Sequence, residues 1–259
     1  MMETIAHWSY SALNTYLQCP LKYAFRYVEH APEERSGACF AFGRAFHAVL
    51  SARAIQGAKF TLDDAKENFF AFFKAETEAV GPILTYKTDE SFDGCVSKAG
   101  DMLAVALENW PDDYAVKSVG ESFSVMIPGV DRPLIGEFDL VVEDGGNEHC
   151  IVDWKTSSSR WPMGKVDYER QVSAYCYAYR AKYQHNPLFR YDVFTKTKQP
   201  QVGSWYTVRT DDELRRFEDL CRQVDRCVHA GAFYRNESQM NCAECPYRDR
   251  CRRGGTQWA

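Results

Sequence analysis

The chain has 259 residues, 45% hydrophobic and 26% charged, a composition that excludes a disordered or fibrous protein and allows a sizeable core. No apolar run is long enough to cross a bilayer and Met1–Tyr10 lacks the pattern of a signal peptide, so an intracellular protein with no membrane partner is expected. The net charge of −5 excludes a broad non-specific nucleic-acid coat while leaving room for a local basic groove.

Residues 8–28 predict a helix with Ser9 or Ser11 as N-cap and Leu13, Tyr16 and Leu17 at helical spacing. Cys19-Pro20 ends it, because proline disfavours helix in the residue before it, and a second turn follows at Tyr23, Arg26 and Tyr27. Phe40–Ala54 predicts a helix after a glycine-containing loop. His47 falls on its apolar face beside Phe46 and Leu50 and has two readings, a satisfied core histidine or a ligand. Residues 60–110 read as helical throughout, broken only at Gly81-Pro82. The aromatic run Phe69, Phe70, Phe72 and Phe73 reads as the core of a helical insertion, with stacking on single-stranded DNA as the second reading. Residues 114–127 predict the strand that begins the central sheet. Glu121 within it suits either a metal site or a solvated strand face.

Leu134–Val142 and Cys150–Thr156 predict two strands joined by the turn Asp144-Gly145-Gly146-Asn147. Asp139 and Asp153 interrupt otherwise apolar strands, and period two puts Asp153 and Lys155 on one face. Two acids and a lysine brought together are costly in a core. They suit the holding of a divalent metal and a water beside a phosphate. The plainer alternative is solvated charge on an exposed strand. Val166–Tyr183 predicts a helix that carries Gln171 and Tyr175 one turn apart. Phe189–Lys196 and Gly203–Val208 predict a further strand pair, with Lys196 and Lys198 near its turn. A last helix capped by Thr210 runs from Asp211 to about Val228.

Of the ten cysteines, Cys39, Cys95, Cys150, Cys176, Cys221 and Cys227 are scattered and read as small buried hydrophobes. Cys242, Cys245 and Cys251 form C-x2-C-P-x4-C and read as metal ligands rather than a disulfide framework. Cys19, which like Cys245 precedes a proline, is the candidate fourth ligand. Iron–sulfur and zinc both remain open on this pattern.

The pattern Gly136-x-x-Asp139, a turn, then Asp153-x-Lys155 resembles the PD-(D/E)XK nuclease superfamily. IGEFDLVV followed by IVDWKT resembles the nuclease domains of RecB and AddB and the related CRISPR-associated exonucleases. The likeness extends to Gly43-x-x-x-His47, to Gln171-x-x-x-Tyr175, and to one early cysteine with three late ones, the iron–sulfur staple of the AddB type. The resemblance implies an α/β fold: a restriction-endonuclease-like core with a mixed central sheet, a helical insertion and a cluster-binding cap from both termini. One nuclease domain over 1–259 would comprise N-terminal helices 1–54, the insertion 55–113, the core 114–230 and the cap 231–259. It implies Mg2+ or Mn2+ held by Asp139, Asp153, His47 and the Trp154 carbonyl, with Lys155 beside the attacking water. Gln171 and Tyr175 would position the phosphodiester, Glu121 is an additional candidate, and a 4Fe-4S cluster would sit on Cys19, Cys242, Cys245 and Cys251, with zinc as the alternative. The implied activity is a deoxyribonuclease, exonuclease rather than endonuclease, acting on DNA that is single-stranded or has free ends and leaving a 5′-phosphate. The implied setting is recombination, repair or the DNA processing of phages and CRISPR systems, with a recombination or CRISPR-adaptation protein as partner. Lys22, Arg26, Lys196, Lys198 and residues 248–253 are expected along the DNA path. These 259 residues contain no Walker A motif and hence no helicase motor. Two other classes stand beside this reading, a non-cutting DNA-binding or assembly protein and a zinc-stabilised interaction module.

Overall fold

The computed structural model describes residues 6–79, 83–111, 115–143 and 149–254. Strand β1 (Trp8–Ser9) leads into α1 (Tyr10–Gln18), capped by Ser9, whose hydroxyl accepts from the Ala12 amide at 3.1 Å. Cys19 is extended (φ −159°, ψ 106°), and Pro20 then opens α2 (Pro20–Tyr23), which runs into a π-helical turn at Ala24–Val28. Next come β2 (Ser36–Gly37), α3 (Ala38–Gln56), α4 (Leu62–Ala79), β3 (Leu84–Thr85) and α5 (Phe92–Glu108). The remaining chain gives β4 (Ala115–Val125), β5 (Leu134–Glu143), β6 (His149–Ser157), α6 (Arg170–Tyr183), β7 (Leu188–Thr195) and β8 (Val202–Thr207). It closes with α7 (Asp211–His229), α8 (Gln239–Cys242) and α9 (Arg248–Arg252). A capping box between Thr210 and Glu213 starts α7.

Six strands form one mixed sheet in the order β1-β5-β6-β7-β8, with β4 on the other edge of β5. The β4–β5, β5–β6 and β7–β8 pairs are antiparallel, and β6–β7 and β1–β5 are parallel. Helices cover both faces. One apolar layer lies between the sheet and α1, α6 and α7, the other between the sheet and α3, α4 and α5. Alternation divides β6 between them: Ile151 enters the α6 layer, while Cys150, Val152 and Trp154 enter the α3 layer. This is the α/β architecture with mixed sheet that the sequence predicts.

Several details differ from expectation. Residues 60–110 are not helical throughout, because β3 pairs with β2 and satisfies its backbone: the Ser36 amide donates to the Ile83 carbonyl at 2.9 Å. Gly81-Pro82 and the turn 144–147 lie outside the described residues. The sheet also recruits Trp8 and Ser9, paired with Leu134 and Ile135, a strand too short for periodicity to reveal. The aromatic run splits by helical spacing: Phe69 and Phe73 are buried, Phe70 and Phe72 exposed. Cys39 and Cys227 are exposed rather than buried, because each falls on the outer side of its helix. The Lys196 ammonium lies over the Phe42 ring, 4.0 Å from its centroid. Two of the late arginines pair with N-terminal acids, Arg250 with Glu29 at 2.6 Å and Arg253 with Glu34 at 2.7 Å. No helix among the described residues is long and apolar enough to cross a membrane.

Candidate active site

The site forms where β5 and β6 part. Their ladder ends at the pair Leu140–Val152, and beyond it β6 continues against β7 alone. Phe138 enters the α6 layer and Leu140 the α3 layer, although residues two apart on a strand ordinarily share a face. The pleat is therefore broken at Asp139. The edge strand follows this break, with Gly120 at φ +63° between the pairs Val119–Leu140 and Glu121–Phe138. Asp139 turns into the opening, where its Oδ2 accepts the Trp154 amide at 3.0 Å. That bond satisfies a backbone donor that has run out of partner strand.

Three further elements converge there. From α3, His47 Nδ1 lies 3.2 Å from Asp139 Oδ2. From β6, Asp153 is 1% exposed and points to the α6 layer. From α6, Gln171 Nε2 donates to Asp153 Oδ1 at 2.7 Å. The other oxygen, Oδ2, is buried without a well-directed hydrogen bond and faces the Lys155 ammonium. Two tyrosines that sequence reasoning missed support this group. The Tyr191 hydroxyl donates to Gln171 Oε1 at 3.4 Å and its ring centroid lies 5.5 Å from Lys155 Nζ. Tyr10 lies within electrostatic reach of Asp153. No local signal marks either one, because Tyr191 reads as an ordinary strand aromatic and Tyr10 is brought in by the β1–β5 pairing.

The charges are unequal in their comfort. Burial pushes the Asp153 carboxyl up to about 6; Lys155 pulls it down, and Asp139 raises it further. Burial would also raise Asp139, but the His47 hydrogen bond and charge, with Lys155 and the Trp154 amide, hold it below the ordinary value. Burial alone would lower His47. Asp139 and then Asp153 outweigh that effect and raise it. Burial raises the Tyr175 hydroxyl strongly, so it remains a protonated donor beside Gln171. The Tyr175 ring packs edge-on against Phe123 and Phe138 at 5.6 and 5.7 Å.

Asp139, Asp153, Lys155, His47 and Gln171 are thus brought together, with Tyr175 behind them and the Trp154 backbone between the two acids. Among the described residues, no three His, Cys, Asp or Glu side chains are already gathered around one point as an ion site. The donor chemistry nevertheless suits a divalent cation: two carboxylates, one with a poorly satisfied buried oxygen, and an imidazole on the same opening. The structure does not bring Glu121 to these groups. It pairs with Lys182, accepts from Ser118 at 2.5 Å and from Tyr183, and follows Phe138 toward the α6 side of the edge strand. Cys19, Cys242, Cys245 and Cys251 lie elsewhere, around a cavity of about 600 Å³ between the chain's two ends.

In structural comparison, a candidate exonuclease from Eubacterium rectale aligns with a TM-score of 0.59 at 12% identity, over 97% of this chain and 89% of that one. A second solved structure, SSO0001, aligns at a TM-score of 0.40 and 12% identity over 95% and 96%, too loosely to bear on the argument. No curated protein sequence matches. Residues 7–252 match the profile of one nuclease superfamily, a span that includes the parted strands, the Asp-x-Lys strand and the Gln171 helix, and the chain accordingly belongs to the PD-(D/E)XK nuclease superfamily.

Proposed function

We propose that this protein is a divalent-metal-dependent deoxyribonuclease of the RecB-like type, an exonuclease that acts on DNA with free ends and takes part in recombination, repair or foreign-DNA processing. The observation that carries this reading is the convergence of Asp139, Asp153 and Lys155 where β5 and β6 separate, with His47 and Gln171 added from two different helices. Asp139, Asp153 and His47 would hold Mg2+ or Mn2+, with the Trp154 carbonyl completing the set. A cation bound there would acidify a water and neutralise charge developing on the phosphate. Lys155 would orient that water or stabilise the anion. Gln171 and Tyr175 hold the phosphodiester through neutral donors, their geometry fixed by Tyr191 and the aromatic packing behind Tyr175. The whole of residues 1–259 serves as one nuclease unit in this reading.

The test compares wild type with Asp139→Ala and Asp153→Ala on end-labelled linear and covalently closed circular DNA, single- and double-stranded, with Mg2+, Mn2+ or EDTA. Cation-dependent loss of linear DNA, at least about a hundredfold slower in either variant, is expected. Undiminished cutting by folded variants would remove the site assignment. Circles cut as fast as linear strands would replace the exonuclease by an endonuclease.

The four cysteines are proposed to hold a 4Fe-4S cluster. Supporting this are their shared cavity and the electrostatic proximity of Cys245 and Cys251 to Cys19. Anaerobic preparations should be brown and contain about four irons per chain. Stoichiometric zinc without iron or sulfide would favour the zinc reading.

A further inference from the structure

We infer that the groove between the N-terminal arm and the start of α3 is the path along which a DNA single strand reaches the site, with Phe40 as a stacking platform and Lys22 and Lys87 as phosphate contacts. The inference rests on the nuclease reading and adds to it the strand's route and form.

The groove measures about 790 Å³. Five basic side chains line it, Lys22, Arg26, Arg35, Arg44 and Lys87, against three acidic ones. That excess is notable in a chain of net charge −5. Glu90 is matched by Lys98 from outside the lining at 3.6 Å, and Glu33 is matched by Arg26 at 3.4 Å, which takes up one of the five cations; Glu244 is the third acid. Arg35 and Arg44 pair with Asp249 and Glu76 outside the lining, and such exposed pairs are weak enough to exchange for phosphate. Lys22 and Lys87 make no ion pair among the described residues. In the same groove Phe40 is 63% exposed, an aromatic ring left without a partner layer on the first turn of α3. Basic side chains that follow a backbone beside an exposed ring are the combination that binds single strands, whose bases are free to stack. A paired duplex hides its base faces and gains only the charge.

Helix α3 connects the groove to the site. Arg44 lines the groove, and His47 lies one turn further on the same helix face. Next to Arg44 the helix passes close over the end of β6: a Cβ built on Gly43 would lie 4.0 Å from Thr156 Oγ1, one residue beyond Lys155. The other end of the groove reaches the cysteine cavity, which shares Lys22.

The experiment uses full-length Phe40→Ala and Lys87→Glu, with Arg216→Glu as an exposed charge-reversal control on α7. Binding of a fluorescent 20-nucleotide single strand and of its duplex is measured against salt, with Ca2+ replacing Mg2+. Hydrolysis of thymidine 5′-p-nitrophenyl phosphate, too short to occupy the groove, is measured with Mn2+. Phe40→Ala should weaken single-strand binding at least about fivefold and duplex binding far less. Lys87→Glu should lower the slope of log affinity against log salt by at least about 0.7. Both variants should hydrolyse the small diester within twofold of wild type, and Arg216→Glu should match wild type throughout. Wild-type strand binding in both groove variants overturns the path, even with the nuclease intact. Equal losses on single strand and duplex overturn the single-strand assignment. A wild type that hydrolyses neither DNA nor the diester, while its groove variants lose strand binding, removes the nuclease reading and leaves the groove as a strand-binding site.

Discussion

Asp153 ionises against its surroundings. Its carboxyl titrates near 6 in the fold against an ordinary 3.8, so the folded state holds the proton more tightly than the unfolded chain. For an acid shifted in this direction, folding is most favoured below the ordinary value and loses stability as pH rises through 6. Asn at this position keeps the acceptor that Gln171 needs and carries no charge. Asp153→Asn should therefore raise the thermal midpoint at pH 8 in metal-free buffer, by at most roughly 3 kcal/mol of stability. The gain should vanish below about pH 4, while cleavage falls at least about a hundredfold. A wild type more stable than the variant at pH 8 would show that Lys155 fully compensates the buried charge. Much of this residue chemistry was legible in the sequence, because strand alternation alone sets Asp153 and Lys155 on one face. Tyr191 and Tyr10 were not, because their role arises from side chains that meet across elements and not from spacing along one.

At the scale of the element, the parting of β5 and β6 depends on close packing behind it. A Cβ on Gly136 would lie 2.9 Å from Phe123 Cε1 and closer still to the ring tip. Phe123 in turn packs against Phe138, the rings tilted by 31° with centroids 4.8 Å apart, one residue before Asp139. Gly136→Ala should destabilise by about 1–3 kcal/mol through overpacking and should reduce activity by displacing β5. Adding Phe123→Leu should recover part of the stability, measured by chemical denaturation. Full stability in the single variant would mean that the ring can rotate away. The sequence predicted a glycine three residues before the acid only as part of a family pattern; the physical reason is this ring, contributed by the neighbouring strand. Helix starts were readable from Ser9 and Thr210 because capping is local chemistry. The breaks at β3 and at Asp139 were not, since both are imposed by partner strands.

At the scale of the whole molecule, the first and last quarters of the chain are fastened together. Trp8 Nε1 and Arg132 Nη2 both donate to Asp225 Oδ1, at 2.9 and 2.8 Å, in a buried network. The Tyr16 hydroxyl donates to the Ala232 carbonyl, the Leu21 amide to the Tyr234 carbonyl, and Asn236 and Asn241 both donate to the Gln18 carbonyl. Asp225→Ala should destabilise by roughly 3–5 kcal/mol, because it strips the acceptor from a buried guanidinium and an indole. Retention of wild-type stability, measured by calorimetry, would show the network to be dispensable. The fastening also governs the order of events during synthesis. A ribosome releases Trp8 and Tyr16 some two hundred residues before it releases the partners that hold them. The N-terminal arm must therefore wait, with aromatic side chains uncovered, until α7 and the cysteine segment emerge. Slow elongation through the codons for α7 and the cysteine segment would prolong that exposure and put the nascent chain at risk of aggregation.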